Sequence, residues 1–296
     1  MAYDFRLLRS WLFVPGDSER KLGKAWTAGA DALIVDLEDA VAPEKKAAAR
    51  SIAAAAIAAA PRDKAAVAIR INAIDTGLAE QDVAGTFACR PDAYVLPKAT
   101  VPDEIALVSG WLSRLEAQAG LPEGSTAIVP IATEHPRAIP RLPSLCSADR
   151  RVRAIMCGNE DLAAAIGARR IKNDDGSMLE VFRIVRALAL LAGRAEDLGV
   201  VDSPVVELAE RGLLQRESAE AAAMGFTGKL VIHPAQVEAV NAAFLPSAQE
   251  IGEARALLAA AAGREGAFRF QDRMIDAPHL SRAERTVALA AAHGIG

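Results

Sequence analysis

Ala127-Ile128-Val129-Pro130-Ile131-Ala132-Thr133-Glu134 and Val152-Arg153-Ala154-Ile155-Met156-Cys157-Gly158-Asn159-Glu160-Asp161 are two apolar runs that each end at a carboxylate. The residues between them, Pro136 to Arg150, are enough for a crossover helix. As consecutive parallel strands, the runs carry Glu134 and Asp161 to the same end of one sheet. Two hard oxygen ligands on neighbouring strand ends suit Mg²⁺ and leave coordination positions for water and substrate. The competing reading is that both carboxylates cap the next helices or pair with nearby arginines.

Outward from this pair, the chain alternates apolar runs with helical patterns. Arg9 to Gly16 is a buried strand closed by Pro15-Gly16, and Asp17 or Ser18 can cap the helix after it. Ala30 to Asp39 is the second strand, with Asp36, Glu38 and Asp39 at its exit. Pro43 opens an alanine-rich helix to Ala60. Ala65 to Asn72 is the third strand, with Arg70 near its end. Ala93 to Lys98 is the fourth, followed by a helix from Pro102 to Gln118. After the opening pair come a polar loop over 168–176, a helix over 179–195, a short strand at Val200-Val201-Asp202, a helix over 207–224, and an eighth strand from Lys229 to His233. Eight β/α units by about residue 245 predict a closed parallel (β/α)₈ TIM barrel rather than an open sheet. Residues 246–296, with helices over 248–262 and 278–293 flanking short alternating pieces near Gly266, read as a C-terminal lid or oligomerisation extension outside a catalytic domain of residues 1–245.

Composition narrows the function. The 296 residues are 52% hydrophobic but only 4% aromatic, so the core is aliphatic. A net charge of −4 without a basic stripe argues against nucleic acid. No run reaches a membrane span, and Met1 to Arg6 lacks a long apolar h-region, so no signal peptide is expected. Cys89, Cys146 and Cys157 have no metal-type spacing, and an odd count fits a reducing cytoplasm. There is no Walker loop or dinucleotide fingerprint.

Several motifs occur in a fixed order: Arg9-Ser-Trp-Leu-Phe-Val-Pro-Gly16, Ala30-Asp-Ala-Leu-Ile-Val-Asp-Leu-Glu-Asp39, Arg70-Ile-Asn72, Leu96-Pro-Lys98, Gly158-Asn-Glu-Asp-Leu162, Ile232-His-Pro234 and Met274-Ile-Asp-Ala-Pro278. This set, spanning nearly the whole chain, resembles the citrate lyase β-subunit-like proteins of the HpcH/HpaI aldolase/citrate lyase superfamily, near the malyl-CoA and citramalyl-CoA lyases. The resemblance implies a (β/α)₈ barrel, a Mg²⁺ ion, C–C chemistry next to a thioester, and a homotrimer or trimer-based hexamer. It puts the metal carboxylates on Glu134 and Asp161 and the substrate-binding arginine on Arg70. It puts an aspartate reaching in from a neighbouring subunit on Asp276. The chain departs from the pattern at Glu134-His135, where many relatives have Glu-Thr, and around Asp272 to Asp276, one residue shorter than a common form.

The chemistry follows. Mg²⁺ could chelate a 2-keto acid as a Lewis acid. Arg70 could hold a carboxylate or developing negative charge, or form a salt bridge to Asp36, Glu38 or Glu134; the two readings are compatible. Glu38 could orient Arg70 or a metal-bound water, or be a helix cap and solvated charge. Asp276 is the candidate base for the acetyl methyl, or a surface cap before Pro278. Gly158 permits close backbone approach to a ligand, with Asn159 as donor. Pro15 and Gly16, with Arg20, Lys21 and Lys24, could meet the CoA phosphates, or the three basic residues form an ordinary solvated face. A Schiff base at Lys98 is redundant beside the carboxylate pair. His233 reads as structural and Cys157 as core. Expected is a cytoplasmic Mg²⁺-dependent lyase of a short β-hydroxyacyl-CoA such as malyl-CoA or citramalyl-CoA. Alternatives are a β subunit of a citrate lyase complex acting on a citryl group on acyl-carrier protein, a CoA-independent keto-acid aldolase, and a non-catalytic acyl-CoA or dicarboxylate binder.

Overall fold

Apolar runs of three to six residues, too short for helices and punctuated by Gly, Pro and acidic residues, become the strands β1 (Ser10–Pro15), β2 (Ala32–Asp36), β3 (Ala66–Arg70), β4 (Ala93–Leu96), β5 (Ala127–Pro130), β6 (Ala154–Met156), β7 (Gly199–Asp202) and β8 (Gly228–Val231). The computed structural model describes residues 3–61, 64–264 and 266–295. All eight strands are parallel in one sheet of order β5-β4-β3-β2-β1-β8-β7-β6, the expected barrel. Between them lie α1 (Glu19–Ala25), α2 (Lys46–Ala58), α3 (Ala79–Thr86), α4 (Pro102–Gln118), α5 (Leu142–Cys146), α6 (Asn159–Ile166), α7 (Glu180–Ala195) and α8 (Arg211–Met224), with α9 (Val237–Ala243) after β8.

The β5–β6 seam closes through isolated bridges at Ile128↔Val152 and Ile131↔Met156. Ile128 and Ala132 donate across it, to the Arg151 carbonyl at 2.8 Å and the Met156 carbonyl at 3.0 Å, while Ala127 and Ile131 donate the other way. By that alternation the intervening seam-facing donor belongs to position 130, and proline has no N–H. The expected crossover helix between β5 and β6 is correspondingly reduced to a 3₁₀ turn and the single turn of α5.

Inward-facing positions alternate along every strand. Near the N-terminal end they are small: Ala32, Ala66, Ala68, Ala93, Ala127 and Ala154 belong to one buried cluster with Trp11. The Trp11 indole fills the room these alanines leave, donates from Nε1 to the Leu8 carbonyl at 3.2 Å, and stands 5.6 Å from the Phe5 ring. Ile34, Val95, Val129, Met156 and Val201 continue the cluster, and the next inward positions, Asp36 and Arg70, are charged. The alternation that builds the floor therefore delivers ionic groups to the C-terminal mouth.

The chain divides into two compact units, Met1–Asn241 and Ala242–Gly296. In the second, Ser247 and Glu250 form a reciprocal cap on α10 (Ala248–Ala261). The strands β9 (Phe268–Phe270) and β10 (Arg273–Ile275) form an antiparallel hairpin ahead of α11 (Ala277–Ala292). Gln271 and Asp272, at φ 45° and 59°, make its two-residue turn, the left-handed pair of a type I′ hairpin.

Trp11→Ala opens a void that the surrounding alanines cannot fill, with an expected loss of about 3–5 kcal/mol of stability. Chemical denaturation checks this; a loss under about 1 kcal/mol would mean that the floor collapses around the gap.

Candidate active site

At the end of β2 the chain turns sharply, and Asp36 organises the turn. Its Oδ1 accepts from the Glu38 backbone at 2.9 Å and its Oδ2 from Ala40 at 3.0 Å. Each oxygen also takes one prong of Arg70, Nε and Nη2, both at 2.7 Å. Nη1 of Arg70 lies 3.0 Å from Oε2 of Glu38, and the guanidinium carbon sits 4.7 Å from the centre of the Phe13 ring. Arg70 thus forms the salt bridges that the sequence offered as its alternative role. Burial works against its charge, but Asp36 and then Glu38 outweigh it and raise its pKa. Glu38 itself is buried, and burial raises its pKa despite Arg70 and Lys98. It is therefore not a solvated charge.

Glu134 lies four residues beyond β5, and Asp161 lies in the first turn of α6. Neither accepts a helix-capping hydrogen bond. Oε2 of Glu134 instead accepts from the backbone of Lys98 at 2.6 Å. Its side chain is buried, and burial, reinforced by Asp161 and Glu38, pushes its pKa up to about 8 against the lowering contributions of that N–H and Arg70. Asp161 is about a third exposed and lies 3.5 Å from Nζ of Lys98.

Gly158 serves Glu134 directly. A Cβ at position 158 would stand 2.4 Å from Cγ of Glu134, so the glycine makes room for that side chain. The Gly158 N–H donates to the Thr133 hydroxyl at 2.9 Å, tying the two runs together. Gly16 is similarly constrained: its Cβ would meet the Asp36 carbonyl at 2.8 Å, and its N–H donates to that oxygen at 2.8 Å. Pro15 pairs in register with Asp36. Asn159 is buried at the start of α6, its Nδ2 4.0 Å from the Met178 sulfur. It lines a cavity of about 500 Å³ with Glu160, Lys172, Pro204 and Glu207. A larger cavity, about 850 Å³, lies at the opposite end, near Asp92, Ala127, Val152 and Leu198, away from this ionic cluster.

Asp276 lies in the second unit, at the start of α11, exposed and paired with Nδ1 of His279. His233 caps the turn after β8, accepting from Ala235 at 3.1 Å, the structural role expected of it. Cys157 is buried core, and burial raises its thiol pKa to about 12. The ammonium of Lys98 pairs with Glu38 and lies 3.3 Å from Asp39. Burial opposes its charge, but Glu38 and Asp161 raise its pKa. The sequence assigns no role to Thr133, Phe13 or the Lys98 backbone, although each lies inside one of its conspicuous runs, 127–134, 9–16 and 96–98.

A parallel (β/α)₈ barrel with an acidic cluster at its C-terminal mouth, where barrel enzymes carry their chemistry, defines the class. The family model for HpcH/HpaI aldolase/citrate lyase matches residues 9–234. A citrate lyase subunit beta-like protein of Mycobacterium tuberculosis is 34% identical over 93% of this chain and 92% of its own length. The human mitochondrial citramalyl-CoA lyase is 32% identical over 95% of this chain and 85% of its own. The crystal structure of protein CitE from M. tuberculosis, in complex with magnesium, acetoacetate and coenzyme A, superposes with a TM-score of 0.77 at 32% identity, covering 97% and 99% of the two chains. The chain belongs to the HpcH/HpaI aldolase/citrate lyase family, and is a carbon–carbon lyase by class. No helix of the described residues is long and apolar enough to cross a membrane.

Between the ordinary carboxylate value of 4.5 and about 8, folded Glu134 keeps a proton that the unfolded chain has lost. The stability it contributes is therefore present at low pH and lost as pH rises through that window. In EDTA, the wild type should lose stability between about pH 5 and pH 8, and Glu134→Gln should flatten the slope in urea titrations. An unchanged slope would put the titrating group elsewhere.

Proposed function

We propose that this chain is a Mg²⁺-dependent lyase that cleaves or forms a short β-hydroxyacyl-CoA of the malyl-CoA or citramalyl-CoA kind, in the cytoplasm. The carrying observation is a carboxylate, Glu134, buried beside Asp161 at the barrel mouth with its pKa pushed up to about 8. A donor set crowded in this way suits a hard dication. Oε1 of Glu134 takes no hydrogen bond among the described residues, and Asp161 is partly open to solvent. Glu134 and Asp161 are assigned as its protein ligands. When bound, Mg²⁺ supplies a Lewis acid for the oxygens of the small acid.

The protein's own groups divide the remaining work. Arg70 commits Nε and Nη2 to Asp36, which fixes the guanidinium plane, and its remaining N–H groups are assigned to a substrate carboxylate or developing oxyanion. Glu38 holds the third nitrogen and so positions Arg70. Pro15, Gly16, Gly158 and Asn159 are assigned to the substrate-facing rim. In the cleavage direction the substrate hydroxyl gives its proton to solvent, its C–O becomes the carbonyl of the small acid, and the C–C bond breaks. Its electron pair passes to the thioester enolate, whose carbon is then protonated to give the acetyl group. Asp276 is assigned to that proton, taking it off again in condensation. A solvated aspartate is a weak base for a thioester methyl, so the assignment requires Asp276 to be buried by a lid, supplied by a neighbouring copy in a homotrimer or trimer-based hexamer. Residues 246–296 are assigned to that lid.

A second reading rests on the relative named a citrate lyase subunit beta-like protein: a subunit that turns over only with partner chains. The purified chain, given malyl-, citramalyl- and citryl-CoA with Mg²⁺ and then with EDTA, separates the two. Metal-dependent acetyl-CoA release by the chain alone is expected; silence on every thioester would favour the subunit. In calorimetry, Glu134→Ala and Asp161→Ala should each abolish Mg²⁺ binding with the circular dichroism spectrum intact, and normal affinity in either would remove it from the metal site. Asp276→Ala should spare Mg²⁺ binding and lower kcat by about two orders of magnitude or more, the scale of a general-base contribution. Unchanged turnover would take Asp276 out of the mechanism.

A further inference from the structure

Lys98 follows β4 in a left-handed conformation, φ 53°, a backbone state that L residues with side chains rarely adopt. Such strain persists only where the surroundings over-determine it. Here both ends of the residue are engaged. Its backbone N–H reaches Oε2 of Glu134 at 2.6 Å, and its ammonium pairs with Glu38, 3.3 Å from Asp39 and 3.5 Å from Asp161. One residue therefore touches both assigned metal ligands, one through the main chain and the other through the side chain. Arg70, the other cation of the cluster, is already held by Asp36 and Glu38.

Resting on the metal assignment above, we propose that Lys98 is a built-in cation that sets the affinity of this site for a divalent ion. Its main chain aims Glu134. Its ammonium offsets the carboxylates while no ion is bound and opposes an incoming dication by like charge. Loading the site moves the ammonium off Asp161 and leaves it on Glu38 and Asp39, with which it already pairs. Lys98 is thus a positioning residue that acts through Glu134 and Asp161. The balance keeps the acidic cluster folded without the ion and prevents the ion from binding so tightly that the ligand carboxylates lose their adjustability.

Calorimetric titration of the full-length chain with MgCl₂ tests this in the wild type, Lys98→Met and Lys98→Arg. Removing a unit positive charge a few ångströms from a dication site should tighten Mg²⁺ binding by on the order of tenfold in Lys98→Met. Lys98→Arg, which keeps the charge, should stay within about twofold of the wild type. The thermal midpoint of ion-free Lys98→Met should fall, and Mg²⁺ should raise it by more than it raises the wild type. A merely structural lysine predicts the opposite, since a disordered Glu134 and Asp161 would bind Mg²⁺ more weakly; weaker or equal binding in Lys98→Met overturns the proposal. If Lys98→Met does not fold, Lys98→Gly, which removes the ammonium and accepts the positive φ, carries the same prediction. A wild type that binds no Mg²⁺ overturns the metal assignment itself and this inference with it. That outcome is distinct from a wild type that binds while the variants fail to tighten.

Discussion

The mouth of this barrel depends on Glu134 being buried among other carboxylates. Asp36, Glu38, Asp39 and Asp161 are its acidic company, and Arg70 and Lys98 are the cations that face them. Desolvation alone disfavours a buried carboxylate, and like charges compound the penalty. The chain meets the problem with backbone donors and rigid ion pairs. Asp36 receives two backbone N–H groups and both prongs of Arg70; Glu134 receives the Lys98 N–H. Even so, Glu134 stays far from its ordinary pKa, which marks the cluster as incompletely balanced.

Other buried ions in the same barrel provide the contrast. Glu116 is buried, yet two Arg151 bonds, the backbone of Gly124 and Thr126 and the Ser125 hydroxyl overcome desolvation and hold its pKa at about 2. Asp202, facing Arg186 and Lys229 between β7, β8 and α7, is likewise lowered against burial, and Glu220 and Glu217 meet the same two cations. These groups are matched in charge and in hydrogen bonds, as purely structural ions must be. The mouth carries the same residue types with the match withheld, and that contrast supports the site proposed there.

Much of this was legible in the sequence because strand periodicity and carboxylate placement are local. The eight apolar runs, the acidic exits of β2 and β5, and Arg70 on β3 could be read without coordinates. The rest depends on where long side chains travel after the strand ends. Nothing local says that Lys98 crosses to Glu38 and Asp161, or that Gly158 makes room for a glutamate side chain arriving from the neighbouring strand. The weakening of the β5–β6 seam was written in Pro130, whose missing donor matters only once its neighbours' donors are known to alternate across two strands. The tight Gln271-Asp272 turn escaped for a different reason: neither residue is glycine, and the left-handed pair is imposed by the hairpin it closes.

A site left short of positive charge also changes what stability means for this protein. The floor of Trp11, alanines and branched aliphatics is packed without regard to the ionic state above it, and it holds the strand ends at fixed spacing. At that spacing, the repulsion that Arg70 leaves is relieved by protonating Glu134, by the ammonium of Lys98 or by an added cation. On the proposed function, these three compete for the same deficit. Cation binding must then displace a proton or move the ammonium, and the ion's affinity falls by whatever those two already supply. On the same proposal, the hydrophobic floor is what lets an unfavourable cluster of carboxylates serve as a binding site, because it keeps the cluster from dispersing before the ion arrives.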